Sequence, residues 1–235
     1  MCRTVTVFAR KQKTANPGVP KGAEPPLKKN KKFGGPVMTP HFILASSSPR
    51  RKELLASIGL EYDVVVPDAD ESAVSRDGIT PELYVQELAL IKAAAAAKLV
   101  LKDKNAVIIA ADTVVSNNGE ILGKPEDAED AFNMLSSLSG HKHTVYTGCC
   151  VMSVRSGKTV CRTSSADVYF KELSADKIWR YIATGEPADK AGAYGIQGIG
   201  GTLVEKTDGD YQSVVGLGIS SLSDILENEF NINIF

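Results

Sequence analysis

Side chains able to handle a polyanion cluster first at Ile43 to Leu55, ILASSSPRRKELL. An apolar run, Phe42 to Ala45, reads as a short buried strand. It gives way to small hydroxyl residues that can cap a helix at Ser48, with Pro49 at the first helical position. Arg50 and Arg51 then fall in the first turn, where the helix dipole already concentrates positive charge and acids are favoured. An anion above that turn resolves the conflict. Backbone N–H groups, the Ser46 to Ser48 hydroxyls and two guanidiniums would converge on one phosphate or polyphosphate. SPRR alone fits an ordinary capped helix with solvated arginines equally well.

Further polar residues stand at positions where ligands bind. Asp112, followed by Thr113, comes at the carboxyl end of the apolar run Val107 to Ala110, the place where open α/β sheets hold ligands. Lys124, in Gly123-Lys124-Pro125, sits near the open end of the same ribbon. The glycine-dense GEPADKAGAYGIQGIGG, residues 185 to 201, implies backbone held close to something and offers Asp189, Lys190 and Gln197. An acidic loop contributes Asp68, Asp70 and Glu71. Lys92 is the one charge in the bland stretch Leu88 to Ala97 and by itself reads as a lysine laying its stem along apolar surface. Other chemistries lack their signatures. Lys124 precedes proline and has no glycine loop, so there is no P-loop, and Gly216-Leu217-Gly218 lacks the third glycine of a dinucleotide fingerprint. HExxH and GxSxG are absent, and His41, His141 and His143 are too few and too scattered for a histidine metal site.

Stepping outward, the pattern predicts the elements that carry these residues. After the first strand and helix, closed by Gly59, Tyr62 to Val66 reads as a strand. Thr80-Pro81-Glu82 starts a long helix running through Lys98. The strand from Val107 continues through Val114 and Val115 to a hairpin turn at Asn117-Asn118-Gly119 and returns through Ile121-Leu122. A helix from about Glu126 to Leu138 follows, then a long hairpin of Val145 to Val154 with Thr159 to Phe170. Ser174 caps a helix ended by Gly185, Tyr211 to Leu217 looks like a strand, and Ser220 to Asn228 like a terminal helix.

At 235 residues the chain can bury a sizeable core, and no apolar stretch approaches the roughly 18 residues that span a membrane. Cys2, Cys149, Cys150 and Cys161 show no CxxC pair, which suits reduced thiols in a cytoplasmic setting and no structural zinc. The net charge of −1 hides an asymmetry: nine Lys or Arg against one acid precede Met38, a charge of +8, leaving −9 for the rest. Residues 1–38, rich in Lys, Pro and Gly, are expected to be a disordered basic extension. Met38 is a candidate alternative start. An acidic body that binds a polyanion needs local cations or a divalent metal.

Taken in order, SSSPRRKELL, ADES, ADTVV, GKP, LSGHKH followed by VYTG, GEPADKAGAYGIQG and GDYQSVVGL resemble the Maf, or septum-formation, family of nucleoside triphosphate pyrophosphatases. The likeness is collinear from residue 42 to the C-terminus. It implies an α/β fold, an elongated mixed sheet with two lobes around a deep cleft, related to the inosine-triphosphate pyrophosphatases. It also implies hydrolysis between the α and β phosphates, giving a monophosphate and pyrophosphate, with a divalent metal, Mg²⁺ or Mn²⁺. By resemblance Asp112 is the catalytic aspartate, and Arg50, Thr113 and Gln197 sort substrates in the manner of the subgroup acting on dTTP and UTP. Ser46, Arg51, Glu71, Lys92, Lys124 and Lys190 match polar cleft positions. A homodimer is implied as well. Gly218 departs from the family, which commonly has proline there.

On that reading Glu71 and Asp112 hold the metal, whose hard oxygen preference suits carboxylates and phosphate. Ser46, Arg51, Lys92, Lys124 and Lys190 bind the triphosphate, and Asp112 either ligates the metal or takes the proton from water. The expected partner is a nucleoside triphosphate, with no membrane, and nucleic acid is not expected as the main ligand of an acidic body. A nucleotide-binding regulator of cell division with little catalysis is the alternative.

Overall fold

The computed structural model describes residues 39–234, so the expected basic extension lies outside the described residues. Strand β1, His41–Leu44, leads into helix α1, Pro49–Ser57, and strand β2, Tyr62–Val64. A 3-10 turn at Glu71–Ala73 precedes the long helix α2, Pro81–Leu99. Next come β3, Ala106–Asn117, β4, Glu120–Leu122, and helix α3, Ala128–Leu138. Strands β5, Lys142–Ser153, and β6, Thr159–Phe170, form the long hairpin and lead to α4, Ala175–Ile182. Strand β7, Val204–Gly209, and helices α5, Tyr211–Val215, and α6, Ile219–Phe230, close the chain.

The expected mixed α/β architecture is present as a seven-stranded sheet ordered β2-β1-β3-β5-β6-β7, with β4 paired to β3. Strand β1 runs parallel to β2 and β3, and the other pairings are antiparallel. Helices cover both faces of its parallel part, which is why Phe42–Ala45 and Ala106–Ala111 are continuously apolar rather than alternating. Phe42, Leu44, Val107 and Ile109 pack against Leu55 of α1 and Leu222, Ile225 and Leu226 of α6. Ile43, Ala45, Ile108 and Ala110 meet Ala89, Ala93 and Ala96 of α2. The small side chains let that helix ride close to the sheet. A Cβ placed on Gly148 of β5 would lie 2.3 Å from the Val85 carbonyl oxygen of α2. A second core, with Val115, Leu135, Leu138, Val168, Phe170 and Leu203, fills the far end of β3, β5 and β6 beneath α3 and α4.

Three expectations change. The strand expected at Tyr211 to Leu217 is the helix α5, and the strand lies just before it, at Val204–Gly209. Gly209, with φ of +113°, ends the strand, and the Asp210 carboxylate accepts from the Gln212 and Ser213 N–H groups, so a cap overrides the strand preference of Val214 and Val215. Strand β2 stops at Val64, two residues early, because its partner β1 ends at Leu44, whose carbonyl takes the last bond, from the Val65 N–H at 3.1 Å. Ser48 stands at the N-cap of α1, but its side chain accepts no capping hydrogen bond. Its N–H instead donates to Ser46 Oγ.

Candidate active site

The cleft arises from a gap in the sheet. On one side β5 pairs β3 without interruption from Val107 to Ser116. On the other side β1 pairs only as far as Ile109 and β4 only from Val115, so among the described residues no strand covers Ala110 to Val114. Asp112 and Thr113 occupy the middle of that uncovered stretch, and the chain leaving β1, Ser46 to Arg51, folds over it. The result is a cavity of about 610 Å³, a size suited to a nucleotide.

Alternation along β3 sends the two residues to opposite faces. Asp112 faces α2, where Lys92 Nζ lies 2.5 Å from Asp112 Oδ1 and 3.0 Å from Glu71 Oε1. The Asp112 and Lys92 side chains are only 13% and 16% exposed, whereas Glu71, on its 3-10 turn, is 54% exposed. One ammonium therefore joins two carboxylates at the cleft floor.

Thr113 faces α1. Arg51 Nη2 donates to Thr113 Oγ1 at 3.2 Å, Nη1 to Ser46 Oγ at 3.1 Å, and Nε to the Gly216 carbonyl at 2.8 Å. Desolvation presses the Arg51 pKa below its ordinary value, opposed by the charge of Asp112. Three of the five guanidinium N–H groups are thus committed to the protein, leaving two for a ligand.

The remaining cations differ in how they are held. Lys190 Nζ donates to the Glu186 carbonyl at 2.8 Å and to Asp189 at 2.7 Å, and that bond draws the Asp189 carboxyl below its usual range. Arg50 and Lys124 line the cleft with no ion pair among the described residues. Arg76, which sequence reasoning did not single out, also lines it. The Arg76 guanidinium bonds the Tyr84 hydroxyl at 3.3 Å and rests against Gly123, where an added Cβ would lie 2.8 Å from Nη2. Nothing in the sequence marks Arg76, because its approach to Gly123 joins segments far apart in the chain. Gln197 is exposed on the glycine-rich loop next to Ile196 and is not among the residues lining the cleft. That loop is tied down by Glu186, whose carboxylate accepts from Tyr181 OH and from the Ile199 and Gly200 N–H groups.

Among the described residues, six cations and three carboxylates line the cleft, an excess of +3 within an otherwise acidic body. Such a surface suits a ligand with several negative charges. Hard oxygen donors come from Glu71 and Asp112, and no group of three or more His, Cys, Asp or Glu side chains able to hold a metal occurs among the described residues. Two carboxylates fit a Mg²⁺-type ion that takes its other ligands from phosphate and water.

A family model described as "Maf-like protein" matches residues 41–229. The chain is similar, at 47% identity over 192 residues, to a dTTP/UTP pyrophosphatase of Alkaliphilus metalliredigens, the match covering 82% of this chain and 97% of that one. A dTTP/UTP pyrophosphatase of Clostridium beijerinckii is 49% identical over 185 residues, covering 79% and 97%. Among solved structures, the Ham1 protein of Staphylococcus aureus matches loosely, at 19% identity and a TM-score of 0.41, over 70% of this chain and 79% of that one.

Proposed function

Because the chain belongs to the Maf family, we propose that it hydrolyses nucleoside triphosphates, dTTP and UTP foremost, to the monophosphate and pyrophosphate. The observation that carries this reading is the Asp112–Lys92–Glu71 cluster at the floor of a cationic cleft. Phosphoryl chemistry asks the protein mainly to position the ligand and offset its charge. Arg50 and Lys124, without ion pairs, and Arg76 are available to the phosphates. Ser46, the two remaining N–H groups of Arg51, Lys92 and Lys190 complete the phosphate set. Lys92 offsets the charge of Asp112 and Glu71, so a tetraanion can approach carboxylates that would otherwise repel it. On this reading Asp112 holds the attacking water or takes its proton.

Glu71 and Asp112 are the residues that would hold a divalent cation, which when bound supplies charge neutralisation on the phosphate oxygens. On this reading the protein works in the cytoplasm, in keeping with the free thiols of Cys149, Cys150 and Cys161. Among the described residues no helix is long and apolar enough to cross a membrane.

The test is pyrophosphate release with Mg²⁺ or Mn²⁺ across dTTP, UTP, CTP, GTP, ATP, ITP and 7-methyl-GTP, beside Asp112→Asn. Activity should centre on dTTP and UTP and fall by about 10³-fold or more in the variant. A panel led by a purine triphosphate, or near-normal turnover by Asp112→Asn, contradicts the proposal. Binding without pyrophosphate release would make the chain a nucleotide-binding regulator.

A further inference from the structure

We propose that Cys150 and Cys161 form a reversible redox site, a cross-strand dithiol that hydrogen peroxide closes to a disulfide. Neither residue lines the cleft, and the inference does not depend on the nucleotide reading above.

The register of the β5–β6 hairpin sets the two residues directly opposite each other. Which kind of pair they form follows from the turn. The Ser153 N–H donates to the Lys158 carbonyl at 2.9 Å, and the Gly157 N–H to the Ser153 carbonyl at 2.9 Å, so Ser153 is the hydrogen-bonded position that closes the ladder. Hydrogen-bonded and non-hydrogen-bonded pairs alternate along an antiparallel ladder. Counting back through Met152–Thr159 and Val151–Val160 makes Cys150–Cys161 a non-hydrogen-bonded pair, the kind with Cα atoms about 4.5 Å apart and side chains closest. That spacing lies within the range a disulfide spans, so closing the bond asks no movement of either strand. Both residues are free thiols in this structure, with their sulfurs 2.6 Å apart.

Burial separates their roles. Cys150 is fully buried against Ala89, Ala93 and Ala96 of α2, whereas Cys161 packs half-buried on the same cluster. The hydrogen bond between them draws the Cys161 thiol below its ordinary pKa and, with burial, pushes Cys150 up. Cys161 is therefore the sulfur that meets peroxide, and Cys150 the one that resolves. Cys149, one position along β5, points to the opposite face among Leu44, Leu217 and Leu222, where burial pushes its thiol up to about 12. It cannot take the place of Cys150.

The Cys161 thiolate attacks one oxygen of hydrogen peroxide, the O–O bond breaks, and the departing hydroxide takes up the thiol proton as water, leaving a sulfenic acid. The Cys150 sulfur then attacks the sulfenic sulfur. The S–S bond forms, the S–O bond breaks, and hydroxide leaves with the Cys150 proton as a second water. Two thiols lose two electrons, and one peroxide is reduced to two waters. The bond stops Cys161 short of the sulfinic acid, an anion that would stand near Glu87 of α2.

The experiment treats the folded full chain with hydrogen peroxide, removes the excess with catalase, alkylates the remaining thiols in denaturant and maps the digest by tandem mass spectrometry. Most of the chain should carry a Cys150–Cys161 link with Cys149 alkylated, and dithiothreitol should restore both thiols. Cys150→Ser, checked for folding by thermal melting, should instead accumulate sulfinic acid at Cys161, at least about fivefold above the unaltered chain. In the unaltered chain, Cys161 left reduced, carried to sulfinic acid, or linked to Cys149 or Cys2 overturns the proposal. So does a folded Cys150→Ser whose Cys161 is no more oxidised to sulfinic acid than that of the unaltered chain. Should the serine variant fail to fold, the linkage map of the unaltered chain decides by itself.

Discussion

Lys92 carries more of the site's electrostatics than its place in a run of alanines suggests. Its ammonium, mostly buried, lies within 3.0 Å of both Glu71 and Asp112, so removing it leaves two carboxylates facing an incoming polyanion. Lys92→Gln should lower kcat/KM for dTTP by about 10²-fold or more in steady-state assays. A loss of less than about threefold would show that the pair is structural only. Residue identity was readable from sequence wherever a motif carried it: Arg50, Arg51, Asp112, Thr113, Lys124 and Lys190 all line one cleft. What was not readable were the partners. Arg51 gives most of its donors to Ser46, Thr113 and Gly216, and Arg76 gains its meaning only from a contact across 47 positions of chain, to Gly123.

Among the elements, the spacing between α2 and the hairpin strand β5 decides whether Lys92 reaches Asp112. Gly148 is paired with Asp112 in the sheet, and a Cβ there would fall 2.3 Å from the Val85 carbonyl oxygen and 2.8 Å from the Gln86 nitrogen, both backbone atoms that cannot swing aside. Gly148→Ala must therefore push α2 off the sheet. We expect a loss of about 1–3 kcal/mol in urea unfolding together with a fall in pyrophosphate release. Unchanged stability and turnover would mean that this close approach does not set the site. The long elements were legible because caps and periodicity agreed: Thr80-Pro81 does open α2, and Asn117-Asn118-Gly119 spans the turn joining β3 to β4. The segment after Gly201 was misread because Val214-Val215 advertise a strand, whereas the Asp210 cap and the sheet edge already filled by β7 impose a helix. Gly218, for its part, has φ of −73°, an angle proline shares, but a Cβ there would lie 2.6 Å from Ser164 Oγ and 2.7 Å from Asp210 Oδ2, so the family's usual proline would require those side chains to shift.

Over the whole molecule, charge is segregated. Among the described residues, those lining the cleft lie between Ala45 and Gly216, and their +3 excess stands in a body that carries −9 from Met38 onward. Local fields, not net charge, must therefore draw the substrate. A chain beginning at Met38 should release pyrophosphate from dTTP within about twofold of the full chain's rate. A drop of tenfold or more would show that the basic segment contributes to the reaction.

The central claim is that water attacks the α-phosphorus of a nucleotide held over Asp112. Turnover of dTTP in water enriched in heavy oxygen tests it most directly, with the products separated and weighed by mass spectrometry. The account predicts dTMP bearing one heavy oxygen and unlabelled pyrophosphate. Label in the pyrophosphate, or dTDP with labelled inorganic phosphate, would contradict it.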